Sequence, residues 1–205
     1  MREQFQIRYK DKPVLIDKAL QDIQQALITK LPWLNAAFGR AQKHVEYTPS
    51  GRKLIYPAIY SGNGEYTSLL PNDNIGNFSW FDIYDPQSVA FNIPTRPQIT
   101  LEGAIVFWYD LSSIFEDSDF LNTEEVKDEI LRVLTGPGIL RGRNRITLDR
   151  LYEKPENVYK GYALEKLYDE DGIIDGDMKF LDKQLFSYPY AGLRIEFTLT
   201  IQELC

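Results

Sequence analysis

Residues 99–111, "ITLEGAIVFWYDL", decide the fold class. A strand points successive side chains to opposite faces. This run is apolar at both odd and even positions from Ala104 to Tyr109, so neither face is left for water. It is expected to be a long strand at the centre of a sheet, covered on both sides. The last stretch, "AGLRIEFTLTIQELC" (191–205), behaves differently. Leu193, Ile195, Phe197, Leu199 and Ile201 alternate with Arg194, Glu196, Thr198, Thr200 and Gln202, the period of a half-buried strand.

Helical periodicity appears twice. In "PVLIDKALQDIQQALITKLPWL" (13–34), Ile16, Leu20, Ile23, Leu27 and Leu31 recur at steps of three and four. Pro13 suits the first turn and Pro32 marks the end, which predicts a helix over about 14–31. In "NTEEVKDEILRVLTGPG" (122–138), Asn122 and Glu125 form a capping box, Val126, Ile130 and Val133 form the stripe, and Gly136 and Pro137 stop it. The second helix is expected over about 123–135.

The remaining segments read as strands and turns. Val45 and Tyr47, the turn "TPSG" and the run "KLIYPAIY" predict a hairpin, with Pro57 pointing to an edge strand or a bulge. Residues 62–77, "GNGEYTSLLPNDNIGN", read as a long loop anchored by Leu69, Leu70 and Ile75. "FSWFDIYDP" is a short strand ended by Pro86, and "NIPTRPQ" is extended by its prolines. "RITLDRLY" (145–152) and "NVYKGYALEKLY" (157–168) are two further expected strands, and "DEDGIIDGDMKF" (169–180) is an acidic turn region. The order of elements predicts an α+β fold: an antiparallel or mixed β-sheet packed by the two helices. The 205 residues read as one domain, 1–205, with a short polar arm at 1–12.

Composition narrows the function classes. The net charge of −7 does not suit a freestanding DNA-gripping protein, though it suits the wall of a passage through which DNA slides. The lone cysteine, Cys205, excludes an internal disulfide and a zinc ribbon. The N-terminal residues lack the apolar segment of a secretory signal, and the longest apolar run is far short of a membrane span, so no membrane partner is expected.

No complete catalytic motif emerges. His44 is the only histidine, and on the polar face of a strand beside a turn it reads as a solvated imidazole. The acidic turn invites a calcium reading from Asp171, but Ile173 stands where an oxygen ligand is needed, so an Asp-Gly hairpin turn is the plainer account. Glu156 with Asp177 and Lys179 has the spacing of a PD-(D/E)xK nuclease metal site, yet Asp177 falls in a glycine-rich turn. Hence no catalytic, cofactor-binding or metal residue is assigned. The basic run Arg141, Arg143, Arg145 is either a set of cations beside a helix C-terminus or a finger for an acidic neighbour or DNA phosphates. Tyr66 and Trp33 are candidate aromatic anchors of an interface.

The order of elements resembles the tail terminator and neck proteins of tailed bacteriophages: an amphipathic helix, a hairpin with a long loop, a central strand, a second helix and a terminal antiparallel pair. The resemblance implies a structural virion protein of a phage or prophage, assembled in the host cytoplasm. Copies would form a homo-oligomeric ring at the tail–neck junction that caps the tail tube, meets head-completion proteins and leaves a channel for DNA, with no catalysis or cofactor. Its terminal strand would be core or an edge paired by a neighbour. The long proline-rich region 62–97 and the acidic turn 169–177 depart from a minimal terminator and leave open another neck ring protein. The expected contact surface joins Arg141, Arg143 and Arg145 to the acidic turn Asp169, Glu170, Asp171, Asp175 and Asp177, with Tyr66, Leu69 and Leu70 from the long loop. The competing readings are the nuclease and a monomeric accessory protein that binds one partner through 62–77.

Overall fold

The structure, a computed structural model, describes residues 7, 9–47, 51, 53–62, 64–71, 74–93, 96–116, 122–162 and 188–202. Its centre is β7 (Arg96–Asp110), the strand that contains the apolar run. Leu101, Ile105, Phe107 and Tyr109 are buried on one face, and Ala104, Val106 and Trp108 on the other. Along one side of β7 runs β9 (Tyr190–Gln202), antiparallel, in unbroken register from Gln98 opposite Gln202 to Asp110 opposite Tyr190. On the other side lie β5 (Phe78–Ile83) and, further along, β6 (Ser88–Ile93), both antiparallel. The sheet is completed by β8 (Arg145–Tyr152) against β9 and by β1 (Ala36–Arg40), parallel to β5. The sheet is therefore mixed, in the order β1-β5-β7-β9-β8, with β6 beside β7. The terminal strand is internal to it. Gly103 lets β5 and β7 approach: a Cβ there would lie 2.7 Å from the Asp82 carbonyl oxygen.

One face is covered by α1 (Leu15–Lys30) and α3 (Thr123–Thr135). The predicted stripes are the buried ones, with Leu20, Ile23 and Leu27 from α1 and Val126, Ile130 and Val133 from α3. They meet Ile195, Phe197 and Leu199 of β9. Ile16 begins the α1 stripe only half-buried. The buried Gln24 amide donates to the Ala37 carbonyl at 2.8 Å and ties α1 to β1. Asn122 caps α3 by accepting from the Glu124 amide at 3.0 Å, while its side chain donates to Glu125 at 3.2 Å.

The opposite face is covered over part of its area by a three-stranded antiparallel sheet. It consists of β2 (Gln42–Tyr47), β3 (Lys53–Gly62) and β4 (Glu65–Ser68), in that order. A second apolar core fills this interface, with Tyr56, Ala58, Leu69 and Leu70 against Phe78, Trp80, Val106 and Trp108. The short helix α2 (Leu111–Ile114) follows β7, and α4 (Pro155–Val158) follows β8. Asn77 pins the upper end. It is buried, donates to the Trp33 carbonyl and Ser113, and accepts from the Asp110 amide at 2.8 Å.

Four expectations need correction. Pro57 lies in the central strand of the smaller sheet, between β2 and β4, and not at an edge. The Leu69 amide donates to its carbonyl at 2.9 Å, and the donor that proline lacks is missing just where β4 has ended. The long loop 62–77 is shorter than expected, because 65–68 pair with β3. Residues 157–162 are helical turn rather than strand, since Pro155 opens α4 and the Val158 amide donates to the Lys154 carbonyl at 2.9 Å. Residues 163–168 of that expected strand lie outside the described residues. Of the N-terminal arm, Ile7 is half-buried against the second core and Lys10 pairs with Asp17, so this part is held to the fold.

Ile23 and Ile195 are fully buried at the helix–sheet interface. An unpaired carboxylate at either place costs several kcal/mol, roughly the stability of many domains. Ile23→Asp and Ile195→Asp are each expected to abolish the cooperative thermal transition followed by circular dichroism; melting like the parent would refute the assigned face.

Candidate functional site

The strand register builds the most polar feature of the sheet interior. On the face away from α1 and α3, Trp80, Val106, Arg194 and Tyr152 stand opposite one another across β5, β7, β9 and β8. Two residues further along, Asp82, Ala104, Glu196 and Arg150 form a parallel row. The alternation of β9 thus sends Arg194 and Glu196 to this face. Ala104, between Asp82 and Glu196, leaves a trough because its side chain is small.

Arg194 is only 1% exposed. Its Nη2 donates to Asp82 Oδ2 at 2.9 Å and also to the Tyr84 hydroxyl, and Nη1 donates to the Val158 carbonyl at 3.2 Å. Tyr162 donates to the other Asp82 oxygen at 3.4 Å. Glu196 accepts from Tyr84 at 3.5 Å, from Tyr152 at 3.4 Å and from Lys160 at 3.4 Å. Burial pushes the Tyr84 phenol up against the opposing pull of Arg194. The Tyr162 phenol is raised by burial and by the Asp82 carboxylate. Burial alone would lower the Arg194 pKa, but its contacts with Asp82 and Tyr84 raise it. Cation and phenols are therefore held protonated.

Arg194, Asp82, Tyr84, Tyr162 and Lys160 border an open cavity of about 950 Å³, with Arg40, Lys43, Asp85 and Glu102 also lining it. The Lys43 ammonium stands over the Tyr162 ring, 5.8 Å from its centre. The trough carries both cations and anions, and its most buried cation, Arg194, is paired with Asp82. Chemically the arrangement is a clamp that fastens β5 to β9 across β7. Among the described residues no three His, Cys, Asp or Glu side chains converge to hold a metal ion.

The residues singled out in the sequence fall elsewhere. Arg141, Arg143 and Arg145 are exposed on the turn before β8 and at its start, with Arg141 Nε 3.4 Å from Asp22. The acidic turn Asp169, Glu170, Asp171, Asp175 and Asp177 lies outside the described residues, as does Lys179. Glu156 is exposed on α4. Tyr66 is 46% exposed and packs on Tyr60. Leu69 and Leu70 are 0% and 3% exposed in the second core, so they anchor the chain to itself and present no side chain to a partner. Trp33 is half-buried and donates to Glu129 at 2.8 Å. His44 is half-buried rather than fully solvated, with ring centres of Tyr56 and Tyr66 at 5.2 and 5.0 Å.

Sequence reasoning missed the Arg194 cluster because a charge on the polar face of an alternating strand reads as solvated. A signal was present in "FSWFDIYDP". Asp82 stands beside Phe81 and two residues from Trp80 in an aromatic-rich strand, and a charge so placed needs a partner. The exposed apolar side chains of β6, Val89 and Phe91, were missed as well.

No protein-family model matches the chain, and no curated protein matches it.

Removing one member of a buried ion pair strands the other, at a cost of about 3 kcal/mol or more. Arg194→Met is expected to lower the urea midpoint by about that much stability, and Asp82→Asn in the same chain to recover a large part of it. A single variant as stable as the parent would refute the clamp.

Proposed function

We propose that this chain is a structural subunit of a tailed phage or prophage. Copies associate into a ring at the tail–neck junction, which caps the tail tube, joins it to head-completion proteins and leaves a channel for DNA. In this reading the subunit does no catalysis and needs no cofactor. It is assembled in the host cytoplasm and works in the virion.

The observation that carries the reading is where the apolar surface lies. Val89 and Phe91 of β6 are 58% and 67% exposed on a strand with no charged residue. Such an edge is a template for pairing with another chain. Protein contact is thus the chemistry most openly offered, while in the polar trough Arg194 is paired with Asp82 and Lys160 with Glu196. The net charge of −7 suits a passage that DNA crosses without sticking. The order of helices and strands adds support from resemblance alone.

Size-exclusion chromatography with light scattering is expected to return a multiple of the 23.8 kDa subunit mass, and negative-stain images to show annular particles with an open centre. A protein that stays monomeric at high concentration, and also with tail tubes present, would overturn the ring. Magnesium-dependent DNA cleavage would overturn the non-catalytic part.

A further inference from the structure

The two ends of the large sheet differ in charge and in apolar exposure. At the end where β7 begins, β6 is an edge strand: among the described residues no strand pairs with its outer side. Its cross-strand pairs Val89–Ile99 and Phe91–Pro97 form an apolar strip on the helix-bearing face, beyond the buried Leu101. The outer strand beyond β9, β8, is blunted against pairing. It carries Arg145, Asp149 and Arg150 and a bulge between Leu148 and Arg150. The start of β8 lies at the same end as β6, since Arg145 stands opposite Thr200 and Thr200 opposite Thr100, which faces Ser88. Three strand spacings, about 14 Å, separate them. The Arg141–Arg145 turn therefore lies at the same end of the sheet as the strip, with Arg145 on the face away from the helices, and among the described residues Arg143 and Arg145 have no carboxylate partner.

The opposite end is acidic. Glu124 and Glu125 open α3, Glu153 follows β8 and Glu156 lies on α4, all exposed. Lys127 is mostly buried and already bound to Glu124 and Glu153, at 2.6 and 2.9 Å. Among the described residues that leaves Lys154 as an exposed cation beside these four acids. Tyr188, 66% exposed, precedes β9 at this end. The length of β8 separates the two patches by about 25 Å. This is several Debye lengths at physiological salt, so they do not neutralise each other within one subunit.

We infer that the β6 edge and the Arg141–Arg145 turn of one subunit receive the acidic end of a second copy, which brings Glu124, Glu125, Glu153, Glu156 and Tyr188. This rests on the ring reading and specifies its contact. The patches are unlike, so the contact is head-to-tail and repeats around a closed ring. Apolar contact at Val89 and Phe91 with Tyr188 supplies affinity, and the charges set register and partner choice. In this contact the acidic side is carried by α3, α4 and Glu153.

The test uses the full chain in sedimentation velocity over a concentration series. Two charge-reversed proteins are needed, one with Arg141→Glu, Arg143→Glu and Arg145→Glu, the other with Glu125→Lys and Glu156→Lys. Each alone is expected to need about tenfold more protein for half-assembly. An equimolar mixture is expected to regain parental assembly, because each variant then meets its complement. Phe91→Asp is expected to weaken assembly by at least as much, with Val89→Lys as a second probe of the strip should Phe91→Asp lose its fold. Circular dichroism reports the fold of each. If folded variants assemble at the parental concentration, or the mixture gains nothing over its components, this contact is wrong while a ring held by other surfaces stands. If the parent itself never assembles, the ring reading falls and this inference with it.

Discussion

The structure depends on a strand that has no face for water. β7 is buried on both sides from Ala104 to Tyr109, and a sheet built around such a strand must be covered twice. Two amphipathic helices supply one cover and a small antiparallel sheet supplies part of the other. Burying each large apolar side chain contributes about 1.5–3 kcal/mol, so two layers of core arise from one strand's pattern. β9 answers the same constraint by pairing along β7 over thirteen opposed residues and sending its apolar side chains to the helices.

The second cover is incomplete, and the polar trough lies where it ends. There Arg194 and Asp82 are brought together by the register, at a site too dry for either charge alone. An ion pair of this kind adds less to stability than an apolar substitute would, but it penalises any register that separates the two. It therefore holds β5, β7 and β9 in one alignment. The alignment in turn fixes the ends of the sheet, with β6 and the arginine turn at one and the start of α3 at the other. A local electrostatic requirement thus positions the surfaces proposed to meet a second copy.

The two helices, the central strand and the terminal strand were legible because their apolar periods are long and unbroken. What escaped has physical reasons. β6 reads as an irregular proline-flanked segment, and its existence depends on pairing with a distant part of β7. Pro57 suggests an edge, yet proline is tolerated within β3 because the neighbouring strand stops one residue short of it. Leu69 and Leu70 sit in turn-rich sequence, and only the tertiary fold shows that they are core. Arg194 illustrates the general difficulty. A strand's period assigns its faces, but which face remains wet is decided by elements elsewhere in the chain.

The account's central claim is that the end of the sheet formed by β6 and the arginine turn is a surface left for another copy. Hydrogen exchange, compared between dilute and assembled protein, tests this most directly. The account predicts new protection confined to peptides covering 88–99 and 140–146 on one side of the contact and 123–129, 153–156 and Tyr188 on the other, with those around Asp82 and Arg194 unchanged. Assembly that leaves 88–99 exchanging as it does in the dilute protein would contradict it.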